Sequence, residues 1–270
     1  MNNEISLIAE NHSKRSEFIY KIFKSSNNVV LNKIEKIPKV IIQFWHDGDN
    51  IPKDVYDCIK SWEILKKKGF TFKLFDDKSA RKFIQENFEP KFLKAYLKCH
   101  HPAMRCDYFR LCYIYLNGGF YLDCDEFYLN ENIDLLFKDD LIKMQPLCYN
   151  LENDEMVKPD DYFYKDFDSN YIYYFNNNPI IAPPKHKLIL IALTRSTERL
   201  ISNNDIFDIQ STTGPGNFTV ATVIYLSDVQ NQISIMKNWE KISETPWNLN
   251  YRKDDRNWRL YNGKNNNWFR

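Results

Sequence analysis

The fold-deciding stretch covers residues 103–125 and reads AMRCDYFRLCYIYLNGGFYLDCD. Residues 103–116 are apolar at helical spacing and predict a helix. Gly118-Gly119 ends this helix, because glycine permits the backbone conformations of an abrupt turn. Residues 120–122 are apolar and predict a short strand. That strand runs directly into an Asp-x-Asp motif at 123–125.

Asp123 and Asp125 predict a cation site at the end of this strand. Residues i and i+2 of a strand point to the same side, and the backbone bend at a strand end lets two carboxylates share one hard cation. The ends of strands in an open α/β sheet are also where ligands bind. The alternative is a solvated acidic turn. The helix, the two glycines and the apolar strand before the motif disfavour that alternative.

Asp107 and Arg110 are three residues apart on the predicted helix and therefore share one face. In one interpretation they form a surface ion pair. In the other, Asp107 binds a sugar hydroxyl and Arg110 lies beside sugar or phosphate oxygens, for which its planar set of donors is suited. The second interpretation predicts that both side chains face a cleft rather than bulk water.

Strands and helices alternate upstream of this stretch. Residues 40–45 and 70–75 predict strands, and residues 54–67 and 79–87 predict helices. This order predicts a parallel sheet with covering helices.

The remaining segments are read more coarsely. Residues 1–36 predict one or two peripheral helices that end near Ser25 to Asn28. Further predictions are an irregular excursion over 150–178, a strand over 180–182, helices over 188–199 and 218–226, and an unpacked tail from Trp247.

Composition excludes several classes of protein. The chain has 270 residues, 37 Lys and Arg and 36 Asp and Glu, so a nucleic-acid binder that works through bulk charge is disfavoured. No apolar run approaches the ~18 residues of a membrane span, and the first fifteen residues lack the apolar core of a signal peptide. We therefore expect a cytoplasmic protein. The six cysteines lack zinc-binding spacing and predict free thiols.

The stretch from Ala103 to Asp125 resembles the sugar-binding D-x-D region of glycosyltransferase family thirty-two. That family includes mannosyltransferases and capsule-synthesis enzymes and is related to the clostridial glucosylating toxins. Residues 37–45, with Pro52, Ser61-Trp62 and residues 74–77, resemble its N-terminal motifs in the right order. Residues 177–184 and 213–215 resemble later, weaker motifs. The resemblance is good over residues 37–126, patchy over 170–220 and absent before residue 37.

The resemblance implies a GT-A type, Rossmann-like α/β fold that binds a nucleotide-sugar, with added peripheral helices. Residues 1–36 would form a helical extension, 37–246 the catalytic domain, and 247–270 a lid or tail. It also implies Mn²⁺ or Mg²⁺ as cofactor and retention of the anomeric configuration. A UDP-sugar donor is favoured over GDP-mannose.

Individual roles carry over by position. The catalytic set is Asp107, Arg110, Asp123 and Asp125. The donor-binding set is Gln43, Trp45, Asp76, Tyr121, Gly214 and Trp258, with a core aromatic as the alternative for Trp45. The metal ligands would be Asp125, Asp123 and Asn257, with an aspartate or water as the alternative third ligand, because the family's late histidine has no equivalent here.

Two expectations concern variants. Asp125→Asn should abolish transfer and leave the fold intact, because a solvated carboxylate matters little to packing. Residues 247–270 should fold over the donor as a lid, with Asn257 and Trp258 near the diphosphate, whereas the alternative is a frayed terminus. Removal of this tail is expected to end transfer while the melting temperature stays nearly unchanged.

Rival functions remain open at this point. A glycoside hydrolase and a nucleotidyltransferase are disfavoured, and a non-catalytic carbohydrate-binding protein of the same fold is the main alternative. The acceptor would be a glycan, glycolipid or glycoprotein of capsule or lipopolysaccharide assembly, met at the inner membrane face. A toxin-like transferase acting on a protein is a further alternative.

Overall fold

A computed structural model of the protein describes residues 3–25, 36–202, 208–228 and 232–261. The strands in chain order are β1 (Val40–Phe44), β2 (Thr71–Phe75), β3 (Gly119–Tyr121), β4 (Phe127–Tyr128), β5 (Lys143–Asn150), β6 (Glu155–Met156), β7 (Tyr171–Ala182), β8 (Ser234–Ile235) and β9 (Ser243–Glu244). The α-helices are α1 (Asn3–Glu10), α2 (His12–Lys24), α3 (Lys53–Ser61), α4 (Asp77–Asn87), α5 (Pro90–Leu97), α6 (Pro102–Asn117), α7 (Pro159–Tyr164), α8 (Lys187–Ser202), α9 (Ile209–Thr212), α10 (Pro215–Leu226) and α11 (Trp239–Ile242). Short 3₁₀ helices cover Trp62–Lys68, Asp134–Phe137 and Asn250–Lys253.

A mixed sheet with the order β2-β1-β3-β7-β5-β6 forms the centre, and β8 pairs with β5. Strands β2, β1 and β3 are parallel, whereas β7 is antiparallel to β3 and β5 is antiparallel to β7. The predicted α/β class and parallel arrangement are therefore confirmed for the first three strands. The second half of the sheet is antiparallel, so the protein has a mixed sheet within an α/β fold.

Gly118 and Gly119 turn α6 into β3. Their φ angles of 65° and 115° lie where side chains are disfavoured. A Cβ on Gly118 would approach the backbone nitrogen of Pro184 to 2.7 Å, and one on Gly119 would come within 3.0 Å of the Val40 carbonyl oxygen. The abrupt turn, which brings the D-x-D motif straight after a buried strand, therefore needs glycine at both positions.

The helices predicted within residues 1–36 are α1 and α2, and Ser26 to Asn28 lie outside the described residues. They are not a loose appendage, since Ala9, Ile19 and Phe23 belong to the main core. The Phe23 ring meets the Phe175 ring of β7 at a centroid distance of 5.2 Å. The extension therefore packs on the antiparallel half of the sheet.

The prediction of an irregular segment over 150–178 is wrong for its second part. Strand β7 begins at Tyr171 and includes the three consecutive asparagines 176–178. The predicted strand over 180–182 is only the end of β7. Asparagine is rare in strands, and here its amides bond to side chains distant in sequence, which no local pattern records. Helices α8 and α10 confirm the predictions over 188–199 and 218–226.

All six cysteines are free thiols, and all but Cys106 are buried. Across the described ranges, no helix combines the length and the apolar character that crossing a bilayer requires.

Candidate functional site

A cavity of about 700 Å³ opens at the carboxyl edge of the parallel strands. Because β1 and β3 run in the same direction, the residues that follow them meet at this edge. Trp45 follows β1, and its amide donates to the Phe75 carbonyl at 2.9 Å. Asp123 follows β3, with Leu122 tied to the Ile42 carbonyl at 3.0 Å. Seven predicted site residues line the cavity: Trp45, Asp107, Arg110, Asp123, Asp125, Asn257 and Trp258.

Two ion pairs that share Arg110 form the cavity floor, one with Asp107 and one with Asp123. Arg110 Nη2 lies 3.0 Å from Asp107 Oδ1 and 2.8 Å from Asp123 Oδ1. Both α6 residues are buried and line the cavity, so the surface ion-pair interpretation is wrong and the predicted orientation toward a cleft is confirmed. Because these side chains are buried, the loss of one would leave the charge of the other unpaired in the interior, which costs free energy of folding.

The guanidinium of Arg110 is fixed from several sides. It stacks over the Tyr121 ring at 4.4 Å, and its Nη1 donates to the Asn177 carbonyl at 2.5 Å. Its Nη2 also donates to Cys106 Sγ at 3.2 Å. This arginine is therefore held as a rigid part of the floor, and it presents Asp123 in one orientation.

The asparagines of β7 complete the floor. Asn177 Nδ2 donates to Asp107 at 2.9 Å, and Asn178 Oδ1 accepts the Asp123 amide at 2.9 Å. Thr213 Oγ1 donates to the other Asp107 oxygen at 3.4 Å. The sequence contained a weak signal for these residues, because residues 177–184 and 213–215 resemble late motifs of the family.

Glu126 is a buried carboxylate that sequence reasoning missed. It accepts from Asn178 Nδ2 at 2.9 Å, from Thr245 Oγ1 at 3.1 Å, and from the Ser243 hydroxyl. It lines the cavity and joins the D-x-D loop to β9. An acidic residue directly after D-x-D is typical of a solvated acidic turn. The sequence therefore gives no sign that this carboxylate is buried.

Burial and mutual repulsion perturb these carboxylates. Burial, then the charge of Asp125, raises the pKa of Asp123 to about 6 against the opposing effect of Arg110. Burial and the same neighbour raise the pKa of Glu126 to about 7. Burial also raises the pKa of Asp107, although Arg110 opposes this. Carboxyl groups with raised pKa values cluster at functional sites, and a bound cation would favour their ionised forms.

The tail forms the roof of the cavity. Tyr251 donates its hydroxyl to Asp125 Oδ2 at 2.6 Å, and the Arg252 guanidinium forms an ion pair with the same oxygen. The Tyr251 ring meets the Trp45 indole edge-on at 5.3 Å. The D-x-D carboxylate predicted to be solvated is therefore only 14% exposed.

The tail is also more firmly packed than predicted. Leu249 is 4% exposed, and Trp258 and Tyr261 pack against the main core. The Asp255 carbonyl lies 2.9 Å from His101 Nε2. The expectation of an unpacked terminus is therefore wrong for Leu249, Trp258 and Tyr261, whereas Trp247 is 68% exposed. Trp268 and Arg270 lie outside the described residues.

Trp45 is a core aromatic whose side chain also lines the cavity, and its contact with a base or ribose stays a prediction. It is buried in a cluster with Val55, Ile59 and Cys124, and it also lines the cavity. Its buried indole N–H has no acceptor among the described residues.

Four residues predicted to bind the donor lie outside the described cavity wall. Gln43 is buried, and its Nε2 lies 3.5 Å from the Asp123 carbonyl. Asp76 caps α4 through Ser79, and Tyr121 lies beneath Arg110. Gly214 precedes α10 as its N-cap residue. Gln43 and Tyr121 therefore contact wall residues, whereas Asp76 and Gly214 cap helices.

Asp123 and Asp125 are of the ligand type that a hard divalent cation prefers. Two carboxylates from the protein, with phosphate oxygens and water, are the usual ligands of Mg²⁺ beside a nucleotide. Within the described ranges, no three His, Cys, Asp or Glu side chains are placed so that they could hold one metal ion together. The Asn257 amide is engaged inside the tail, accepting from the Arg259 amide at 3.2 Å and donating to the Arg252 carbonyl at 2.9 Å.

A known family model matches the part of the chain that contains Asp107, Arg110 and Asp123. Residues 52–147 match the family model described as "Glycosyltransferase sugar-binding region containing DXD motif". The match includes α6, β3 and the D-x-D motif. It supports the resemblance to the D-x-D glycosyltransferases that the sequence suggested.

Two curated relatives bear glycosyltransferase names. An "Uncharacterized glycosyltransferase" of Acanthamoeba polyphaga mimivirus is 33% identical over 94 residues, which are 33% of this chain and 36% of the relative. The "Initiation-specific alpha-1,6-mannosyltransferase" of Candida albicans (strain SC5314 / ATCC MYA-2876) is 24% identical over 220 residues, which are 76% of this chain and 57% of the relative. The chain thus spans about one third to somewhat over half of the length of these relatives.

Among solved structures, the chain is similar to the "PaToxG Glycosyltransferase". The identity is 16%, the TM-score is 0.47, and the match covers 85% of this chain and 81% of that one. A likeness at this level is too weak to bear on function.

Proposed function

We propose that this protein is a glycosyltransferase that moves a sugar from a nucleotide-sugar to a glycan, a glycolipid or a glycoprotein. The observation that carries the proposal is the cavity floor, where Asp107, Arg110, Asp123 and Asp125 meet inside the region that matches the sugar-binding model. The cavity volume of about 700 Å³ is typical of sites for small organic ligands.

Each floor residue has a role that its contacts support. Asp107 is held by Asn177 and Arg110, so its oxygens can accept from sugar hydroxyls without reorganising. Arg110 orients Asp123, which would contact the ribose or the sugar. Trp45 would lie against the base or ribose. Asn257 and Trp258 of the roof would cover the diphosphate.

Mn²⁺ or Mg²⁺ belongs to the proposal. Asp125 and Asp123 would hold the ion, with Asn257 or water as a third ligand. When bound, it supplies positive charge that makes the nucleoside diphosphate a better leaving group. Asn257 would have to exchange its hydrogen bonds within the tail in order to take part.

Retention of the anomeric configuration is part of the proposal, because the resemblance to the family implies it. In a front-face substitution, the bond from the anomeric carbon to the phosphate oxygen breaks while the bond to the acceptor oxygen forms. The departing phosphate then takes the acceptor proton. The floor residues hold the sugar, and the roof excludes water that would otherwise hydrolyse the donor.

A donor screen tests the proposal. UDP-sugars are tried first, and a mannose donor such as GDP-mannose is included because of the mannosyltransferase name of the Candida albicans relative. Transfer and donor hydrolysis are followed with Mn²⁺, with Mg²⁺ and with EDTA. Asp49→Asn, at a carboxylate 82% exposed, is the matched control for Asp125→Asn.

The outcomes separate the alternatives. Metal-dependent turnover of one donor, lost in Asp125→Asn and kept in Asp49→Asn, supports the transferase. Binding of glycans alone, with no response to any nucleotide-sugar, would instead identify a carbohydrate-binding protein. Proton NMR of the product reports retention or inversion. Co-sedimentation with vesicles that carry a lipid-linked acceptor tests a peripheral position at the inner membrane face.

A further inference from the structure

The guanidinium of Arg252 neutralises the carboxylate of Asp125, the second aspartate of the D-x-D motif. Arg252 pairs with Asp125 Oδ2 through Nη2, and the Tyr251 hydroxyl donates to the same oxygen. The side chains of Asp125 and Arg252 are 14% and 11% exposed. With so little surrounding water, their attraction is screened less than that of a surface pair.

The pairing leaves Arg252 incompletely satisfied. Its guanidinium lies over the Trp247 ring at 4.7 Å, and its buried Nε–H has no acceptor among the described residues. A buried donor without an acceptor carries a desolvation cost. A phosphate group offers several acceptor oxygens and matches the planar fork of a guanidinium better than one carboxylate oxygen does.

The neighbouring arginines of the described tail have different partners. Arg256 binds both oxygens of Asp254 at 2.7 to 3.1 Å. Arg259 lies against the rings of Trp247 and Trp258. Among the tail arginines in the described ranges, Arg252 is therefore the one that the structure pairs with the D-x-D motif.

We propose that Arg252 exchanges between two anions, Asp125 in the donor-free protein and the diphosphate of a bound nucleotide-sugar. The inference rests on the proposed function. A guanidinium and a divalent cation on one carboxylate repel each other, so they compete for Asp125. Arg252, once displaced, lies in the roof of the same cavity and takes the diphosphate as its new partner. Loss of Arg252 therefore affects the two ligands in opposite directions.

Arg252→Gln tests the exchange, with Lys253→Gln as the control. Lys253 is the exposed next residue, and its replacement removes the same charge. Binding of Mn²⁺ alone is measured by electron paramagnetic resonance. Binding of UDP and of GDP at saturating Mn²⁺ is measured by calorimetry. We expect R252Q to bind Mn²⁺ about tenfold more tightly and the diphosphate about tenfold more weakly, or about 1.4 kcal/mol in each direction.

Further variants and outcomes keep the two proposals apart. Arg252→Lys keeps the charge and loses the fork, so its Mn²⁺ affinity should stay near wild type while diphosphate binding weakens. R252Q with unchanged or weaker Mn²⁺ binding, or with unchanged diphosphate binding, would overturn the exchange. The same is true if K253Q matches R252Q. Wild-type protein that binds neither UDP nor GDP at saturating Mn²⁺ would overturn the proposed function, and the exchange with it.

Discussion

Replacement of Asp125 by asparagine tests whether the D-x-D edge and the tail form one unit. The substitution leaves Arg252 without its anionic partner, although that side chain is only 11% exposed. Breaking a buried pair on one side costs about 3–5 kcal/mol. Here the orphaned arginine keeps its contact with the Trp247 ring, which is 68% exposed and borders water, and this limits the loss. We therefore expect about 2 kcal/mol, or a fall in melting temperature of ~4–8 °C for a chain of this size.

This expectation corrects the one drawn from the sequence, in which Asp125 was solvated and its loss left stability unchanged. The assay combines urea denaturation with limited trypsin digestion. Trypsin cleaves after Arg252 and Lys253, so a released roof should be cut faster in Asp125→Asn than in wild type. Asp49→Asn should stay within about 0.5 kcal/mol of wild type. Transfer should fall by about 100-fold or more.

A double-mutant cycle isolates the pair. Asp125→Asn and Arg252→Gln should each destabilise the protein, and the double variant should be less unstable than their sum by about 1–2 kcal/mol, because neither charge is then left unpaired. Equal trypsin resistance of Asp125→Asn and wild type, with additive stability losses, would refute the coupling of roof and floor. Transfer by Asp125→Asn at the wild-type rate with the same Mn²⁺ dependence would refute the metal assignment.

Three more predictions follow from the same structure. Asp107→Asn should weaken binding of the nucleotide-sugar more than binding of the nucleoside diphosphate alone, as calorimetry with both ligands would report. Truncation after residue 246 should lower the melting temperature as well as abolish transfer, because Leu249, Trp258 and Tyr261 pack on the body, and an unchanged melting temperature would contradict that packing. Burial lowers the pKa of His186 to about 4, so below pH 6.5 the unfolded state binds the extra proton and stability falls as the pH drops toward 4, by up to about 2 kcal/mol at pH 5. His186→Asn, which can still accept the Leu188 amide, should lose less stability between pH 7.5 and pH 5 in urea titrations than wild type does.

Local signals account for what the sequence predicted correctly. Strands β1 and β2 are short β-rich runs, and α4 begins at a capping box between Asp76 and Ser79. The two glycines before β3 mark the turn into the D-x-D motif. Each of these features depends on residues within a few positions of one another, so periodicity and turn chemistry are enough to find them.

Long-range partners account for what the sequence did not predict. Asn177 and Asn178 are part of β7, yet their amides serve Asp107, Asp123 and Glu126, which are 52 to 70 positions away. The tail presents several arginines of similar context. Only the fold shows that Arg252 reaches Asp125 across 127 positions.

Different contacts hold the floor and the roof of the cavity in place. The floor is fixed from behind, because Arg110 is stacked on Tyr121 and tied to the backbone of β7, and because Asp107 is bound from β7 and from Thr213. The roof meets the cavity through Tyr251 and Arg252, whose partners there are cavity residues themselves. A ligand that takes over those partners therefore removes part of what holds the roof and leaves the floor in place. For the proposed transferase, a rigid floor would suit discrimination between sugars, and a roof held by cavity residues would suit entry and exit of the donor.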